Sequence, residues 1–450
     1  MAEFPFQLVV NRTYPRKSSE YLSCLTLLRV IPDRRKVYDA LWNNKNVIVK
    51  VFSHKISARR HLKREWQGLK RLASYGLSAP KPLFYGQTFD GQKVVVVEKI
   101  VESTTILDKY LKTTDTSKKL NLLILICNEM AKQHSKGILQ KDLHLGNFLL
   151  KDDKVFALDS GQMQFLRHEM DRKRSISQLA MLAFYLPNDN TLSITRLCEE
   201  YFKARGWRYR KTDQIVFKKQ LTVHKRKMIR KGLKKCVRTS KRHLRIKANE
   251  YFAIFDKSFC PQTQTKSFIE KLDKLMDEGK NLKKGNTCYV SRLTWNNNDV
   301  VVKRYNHKGF IHSLRHTIKK SRARRGWQHG HRLVMLDIAT PKPLAYIEQL
   351  KFKLVWKSYL VAEYVKGQKL YDFLNNNNAT KEQQQTINKQ IKELLDELEK
   401  NRITHGDLKH TNILVTDKEL ILTDLDGMKA HKWGFRYKSS RAKDLQRLNQ

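Results

Sequence analysis

The feature that most constrains this chain is a spacing that occurs twice. Residues 140–161 read QKDLHLGNFLLKDDKVFALDSG, and residues 405–427 read HGDLKHTNILVTDKELILTDLDG. Asp142, Asn147 and Asp159 recur 265 residues later as Asp407, Asn412 and Asp424, with unchanged gaps. A repeat of that period is domain-sized, so it points to two similar folding units. A loop carboxylate, an amide five positions on and a second carboxylate twelve after that suit phosphoryl transfer. Asp142 or Asp407 can orient, or take the proton of, an attacking hydroxyl. The amide and the later acid can hold Mg²⁺ against ATP phosphates, because Mg²⁺ takes hard oxygen ligands and keeps substrate phosphates in its shell. A hairpin carrying surface acids would explain one such string; its repetition counts against that explanation.

Upstream of each string the pattern reads as strands and a helix. VVNRTYP and LTLLRVIP suit strands, and KVYDALWNNKNVIVKVF suits a hairpin turning at Asn43–Asn44. Lys50 closes the β-branched run VIVK, and Lys303 closes VVVK in the second half. VVVVEKI (94–100) predicts a further strand ending near Glu98, and YLVAEYVKG places Glu363 at the matching point. Residues 119–136 predict an amphipathic helix stopped at Gly137, and residues 175–206 read as helical. In the second half, SFIEKLDKLMDEG predicts a helix closed by Gly279, and residues 381–400 predict a Glu/Lys-rich helix.

With these motifs in place, both halves resemble the protein-kinase-like fold, and specifically the bacterial lipopolysaccharide kinases that phosphorylate Kdo or heptose of the inner core. The stretch 300–348, VVVKRYNHKGFIHSLRHTIKKSRARRGWQHGHRLVMLDIATPKPLAYIE, carries the resemblance furthest. The resemblance implies an α+β chain of two tandem bilobal domains, each with an antiparallel β N-lobe and a mainly helical C-lobe. The boundaries expected are 1–230 for the first domain, 231–260 for a basic connector and 261–450 for a second domain with a short C-lobe. It implies nucleotide contacts at Lys50, Glu65 and Glu98 and at Lys303 and Glu363. It further implies metal ligands at Asn147, Asp159, Asn412 and Asp424, and catalytic acids at Asp142 and Asp407.

The chain departs from the pattern at several points. No G-x-G-x-x-G precedes Lys50, and Gly285 is the only glycine near the second expected phosphate loop. Gln140 stands where a bracing His is usual. Aligning Trp66 with Trp327 sets Gly326 opposite Glu65, and no acid lies between Lys303 and Asp337. The second half thus lacks the helix carboxylate that would pair with its lysine. Either phosphate and Asp424 hold Lys303, or another carboxylate arrives from elsewhere. Neither half shows the A-P-E element of protein-substrate kinases, which disfavours a protein acceptor.

Charge narrows the partners. Ninety Lys and Arg against 43 Asp and Glu leave a formal charge of +47, which will seek anions. The section 203–247 is especially basic, with Asp213 its only acid. Lipopolysaccharide or a lipid A-core glycolipid on an anionic membrane surface fits that charge. Nucleic acid is disfavoured by the lack of any zinc finger or RNA-binding motif. Six scattered cysteines without C-x-x-C argue against a disulfide scaffold or structural zinc and for a reducing compartment. The N-terminus lacks the layout of a secretory signal, and the run LNLLILIC (120–127) is too short to span a bilayer. A cytoplasmic protein, peripheral at the inner face of the bacterial inner membrane, is expected. The basic insert GFIHSLRHTIKK (309–320) could rest on a membrane interface, and His312 and His316 lack the further ligands a metal site needs.

The reading that emerges is ATP- and Mg²⁺-dependent phosphorylation of an inner-core sugar hydroxyl. A pseudokinase scaffold binding nucleotide or glycolipid in one or both halves, and a basic nucleic-acid-binding protein, stand as alternatives.

Overall fold

The computed structural model describes residues 3–31, 33–53, 55–186, 194–306, 320–375 and 380–449. The insert 309–320, with His312 and His316, lies outside them except for Lys320. The chain is mixed α+β, and its contacts divide it into two compact units, Met1–Arg226 and Lys227–Gln450.

In the first unit, strands β1 (Phe6–Tyr14), β2 (Ser18–Ile31), β3 (Arg35–Trp42), β4 (Lys45–Phe52), β5 (Pro82–Thr88) and β6 (Lys93–Glu98) close an antiparallel barrel. Helix α1 (Lys55–Ser74) lies between β4 and β5 in sequence. The β3–β4 hairpin turns where the sequence asks for it. Asn43 and Asn44 both take positive φ, 48° and 60°, the conformation a two-residue hairpin needs and asparagine tolerates. Along β4 the side chains alternate: Val47, Val49 and Val51 fill the barrel core, and Lys50 points to the other face. A helical core follows, built on Thr116–Ser135, which Asp115 caps through the N–H groups of Ser117 and Lys118. Helices Arg172–Phe184 and Ile194–Ala204 complete its buried cluster.

The second unit carries a seven-stranded antiparallel sheet. Its order is His243–Lys247, Tyr251–Asp256, Pro343–Lys351, Leu354–Glu363, Asn298–Tyr305, Cys288–Trp295 and Lys280–Lys284. The stretch 231–260, expected as a connector, supplies the end of helix Lys211–Lys235 and the first two of these strands. Helix Thr265–Glu278 packs Phe268, Ile269 and Leu272 against one sheet face and ends at Gly279, as its pattern predicts. Helix Arg322–Val334 contributes Trp327 to the cluster on the opposite face. Helix Lys381–Lys400 starts with a full capping box at Thr380 and Gln383 and precedes the short strand Ile403–Thr404. Among the described residues no helix is long and apolar enough to cross a membrane, and all six cysteines are free thiols.

Candidate functional site

The strand register makes the two sites comparable residue by residue. Lys50 on β4 is paired with Val37 on β3 and Val95 on β6. Lys303 is paired with Val290 and Leu360 on the corresponding strands. Glu98 sits opposite Val47, three residues before Lys50, and Glu363 sits opposite Val300, three residues before Lys303. Each lysine therefore faces the same way from the same strand, with its acid at the strand end.

The two Asp-Asn-Asp strings fold alike as well. In the first unit the Asn147 amide Nδ2 donates to the Asp142 carbonyl at 2.6 Å, and the Leu158 N–H donates to the Asn147 carbonyl at 2.8 Å. In the second, Asn412 Nδ2 donates to the Asp407 carbonyl at 2.8 Å, and the Thr423 N–H to the Asn412 carbonyl at 2.9 Å. Asp159 and Asp424 both adopt the left-handed conformation, with φ 55° and 59°. That turn is uncommon for a residue with a side chain and is tolerated best by Asp and Asn. The Leu158 and Thr423 bonds set Asn147 and Asn412 beside the residues that precede these two aspartates, in both units.

The two sites differ in how the lysine and the late Asp are held. In the first unit Lys50 bonds Glu65 of α1, which is buried. The second Glu65 oxygen accepts the Gly161 N–H at 3.2 Å. A Cβ on Gly161 would stand 2.7 Å from that oxygen, so only glycine lets the carboxylate approach. Asp159 accepts from the Arg35 guanidinium at 3.0 Å. Burial pushes the Asp159 pKa up, but the charges of Arg35 and Lys50 outweigh it and hold the carboxyl below its usual range.

In the second unit Lys303 bonds Asp424 directly, Nζ to Oδ1 at 3.0 Å. Burial again opposes ionisation there, and Lys303 again wins, keeping Asp424 below the usual carboxylate range. Gly326 is opposite Glu65 in the sequence alignment, and a Cβ there would stand 2.7 Å from the end of the Leu360 side chain, which would have to shift. Leu360 is the larger counterpart of Val95 and takes that space. The Gly161 position is filled by Asp426, which accepts from Arg322 of the helix at 2.5 Å. An ion pair of the reverse order thus ties helix to loop where Glu65 and Gly161 do so in the first unit.

Sequence reasoning missed the groups that brace the loops carrying Asp142 and Asp407. Asp444, on the terminal helix Gly434–Leu448, is buried and accepts the N–H groups of His405 and Gly406 at 2.6 and 2.9 Å. His405 Nε2 donates to the Thr423 carbonyl at 2.8 Å. The first unit does the same work with neutral amides. Gln178 Oε1 accepts the Gln140 N–H at 3.0 Å, and Gln140 Nε2 donates to Gln133 Oε1 at 2.8 Å. Gln133 in turn donates to Glu129. Lys409, two residues after Asp407, lies 3.1 Å from its carboxylate.

A cavity of about 600 Å³ in the second unit is lined by Val290, Lys303, Glu363, Leu414, Asn412 and Asp424 among others. Apolar walls with a few converging polar groups suit a planar base carrying an anionic tail. The oxygen donors present fit Mg²⁺ there. Asp424 is ionised, and the Asn412 amide nitrogen is turned to Asp407, which leaves its oxygen for another partner.

The paired loops and strand lysines agree with the kinase-like character that family models support in each half. Residues 266–450 match the model of the lipopolysaccharide kinase (Kdo/WaaP) family, and residues 34–179 match the RIO domain model. Both families are protein-kinase-like, so kinase, transferase and ATP-binding character is supported in each half. The expected resemblance of the first half was to the lipopolysaccharide kinases as well; the model that matches it is the RIO domain, a protein-kinase domain. No curated protein matches the chain.

Proposed function

We propose that the second unit is an ATP- and Mg²⁺-dependent kinase that phosphorylates a sugar hydroxyl, Kdo or heptose, of the lipopolysaccharide inner core. On this reading the chain is two tandem kinase-like domains, each bilobal, with the nucleotide under the sheet. The observation that carries the reading is the cavity on whose wall Lys303, Asn412 and Asp424 converge, in a segment matching the lipopolysaccharide kinase model. Asp407 orients the acceptor hydroxyl and takes its proton. Lys303 attracts the nucleotide phosphates, and Asn412 and Asp424 would hold Mg²⁺, whose chemistry is to neutralise charge on the transferring phosphoryl. Positioning and neutralisation carry most of the rate in such a reaction.

The formal charge of +47 supports an acceptor bearing carboxylates and phosphates, and a location against an anionic leaflet on the cytoplasmic side. The decisive experiment incubates the full chain with radiolabelled ATP, Mg²⁺ and core-sugar acceptor stripped of phosphate, and maps the product by mass spectrometry. Label on a core sugar supports the reading. Label on protein alone would favour the protein-kinase chemistry of the RIO match. A binding-only role is the second reading for the first unit, favoured there by the Arg35–Asp159 pair.

A further inference from the structure

The strand register isolates one substitution between the two units with a chemical consequence. Arg35 and Cys288 occupy the same place, two residues before the valine paired with the lysine (Val37 with Lys50, Val290 with Lys303). In the second unit this wall position is a neutral thiol lining the cavity. In the first it is a guanidinium, 13% exposed, bonded to Asp159 at 3.0 Å.

Arg35 is not a loose surface arginine. It begins β3, its backbone is paired with Phe52 on β4, and Arg34 beside it accepts the Ser53 N–H at 3.0 Å. Its Nε is buried and has no acceptor. Lys50 has its own carboxylate in Glu65, so Arg35 is an additional fixed cation on Asp159, at its Oδ1. A divalent cation on Asp159 would have to displace this bond, or share the carboxylate with the guanidinium and stand against its charge. Both late aspartates carry a cation, but Asp424 carries Lys303, the group that nucleotide phosphates attract, whereas Asp159 carries Arg35 in addition to a lysine already held by Glu65; the first unit therefore does not fit Mg²⁺. Arg35 and Lys50 together still offer more N–H donors than Asp159 and Glu65 engage, in the fork geometry that suits phosphate.

We infer that the first unit binds a nucleoside di- or triphosphate without a divalent cation, Arg35 standing where the metal would be. This rests on the kinase-like reading of that unit. It deepens that reading by making the first unit a metal-independent nucleotide sensor and leaving transfer to the second.

The test uses the full chain with the second site silenced by Lys303→Met and Asp424→Asn, and a fluorescent ADP analogue as probe. Binding should be equally tight in EDTA and in excess Mg²⁺. Adding Arg35→Met should weaken binding in EDTA by about tenfold or more, the loss of a charge-assisted hydrogen bond, and Mg²⁺ should now restore it. Mn²⁺ counted by electron paramagnetic resonance with ADP present should rise on Arg35→Met in the otherwise native chain. The reciprocal Cys288→Arg, with the first unit native, should make nucleotide binding by the second unit independent of Mg²⁺. Mg²⁺-dependent binding with Arg35 intact overturns the inference, as does an Arg35→Met variant that behaves like its parent. Nucleotide bound by the second unit alone overturns the inference and leaves the kinase reading standing. Absence of nucleotide from both units removes the kinase reading and this inference with it.

Discussion

Lys303 Nζ reaches Asp424 at 3.0 Å, whereas Lys50, its counterpart on the matching strand, is held by Glu65 of the neighbouring helix. The second unit therefore places its lysine on the carboxylate that would hold Mg²⁺, and nucleotide phosphates must draw it away. Lys303→Ala should reduce transfer to the core-sugar acceptor by about a hundredfold or more, the scale of losing one fixed charge-stabilising group. Lys50→Ala should cost much less. Turnover of both variants on one acceptor preparation checks this, and the opposite ranking would assign transfer to the first unit.

Asp407 separates chemistry from stability. Its side chain is 44% exposed, and it is the Asp407 backbone carbonyl that takes the shorter bond from Asn412. Asp407→Ala should abolish transfer by the second unit and shift unfolding free energy by no more than about 0.5 kcal/mol. Denaturant unfolding and transfer, measured on the same sample, decide it. Retained transfer would remove Asp407 from the role of base.

The parts of this site that sequence made legible are those built from short strings with local turns. Asn43–Asn44, the helix over 381–400 and the two Asp-Asn-Asp spacings each carry their geometry within a few residues, because turn chemistry and capping are local. Arg35 was invisible for the opposite reason. Its meaning depends on the pairing of β3 with β4, which sets it over Asp159, 124 residues away. Asp444 braces His405 from 39 residues downstream, beyond any local pattern. The absence of an acid opposite Glu65 was plain in the sequence, but the packing of Leu360 from another strand against Gly326 was not. Asp426, which pairs with Arg322 and not with Lys303, lay in full view without a partner until the fold brought Arg322 to it.

Asp444 should be a positioning residue with both structural and kinetic effects. Asp444→Ala leaves the buried His405 N–H without its acceptor, at about 1–3 kcal/mol for an orphaned donor, and frees the more exposed Gly406 N–H as well. It should destabilise the second unit and lower kcat more than it raises KM for ATP. Asp444→Asn keeps one oxygen acceptor and should recover part of both losses. An unchanged kcat for Asp444→Ala would make its role purely structural.

Attraction to an anionic surface has its own signature. If the basic surface recruits the protein, sedimentation with anionic vesicles should weaken steeply as salt rises, and neutral vesicles should bind little. Equal binding to both vesicle types at high salt would exclude an electrostatic mechanism.

Stability should fall in mild acid, and the sign follows from two buried imidazoles. His134 in the first unit and His331 in the second are 2% and 4% exposed. Burial pushes each pKa down from 6.5 to about 3, with the Arg205 charge adding to the effect on His134 and His243 to that on His331. Between those values the unfolded chain binds a proton that the folded chain refuses, so folding loses stability as pH drops. Their stabilising effect is whole above 6.5 and declines through the interval down to about 3, by up to about 1.4 kcal/mol per pH unit for each histidine. Denaturant unfolding at pH 7.5, 6.5 and 5.5 should show the decline only below the middle value. His134→Asn keeps a polar atom near Tyr201, which the imidazole contacts at 2.6 Å, and removes the titration. That variant should flatten the dependence for the first unit while leaving the second unit's slope in place. A native chain whose stability is level from pH 7.5 to 5.5 would show that these imidazoles take up protons without unfolding.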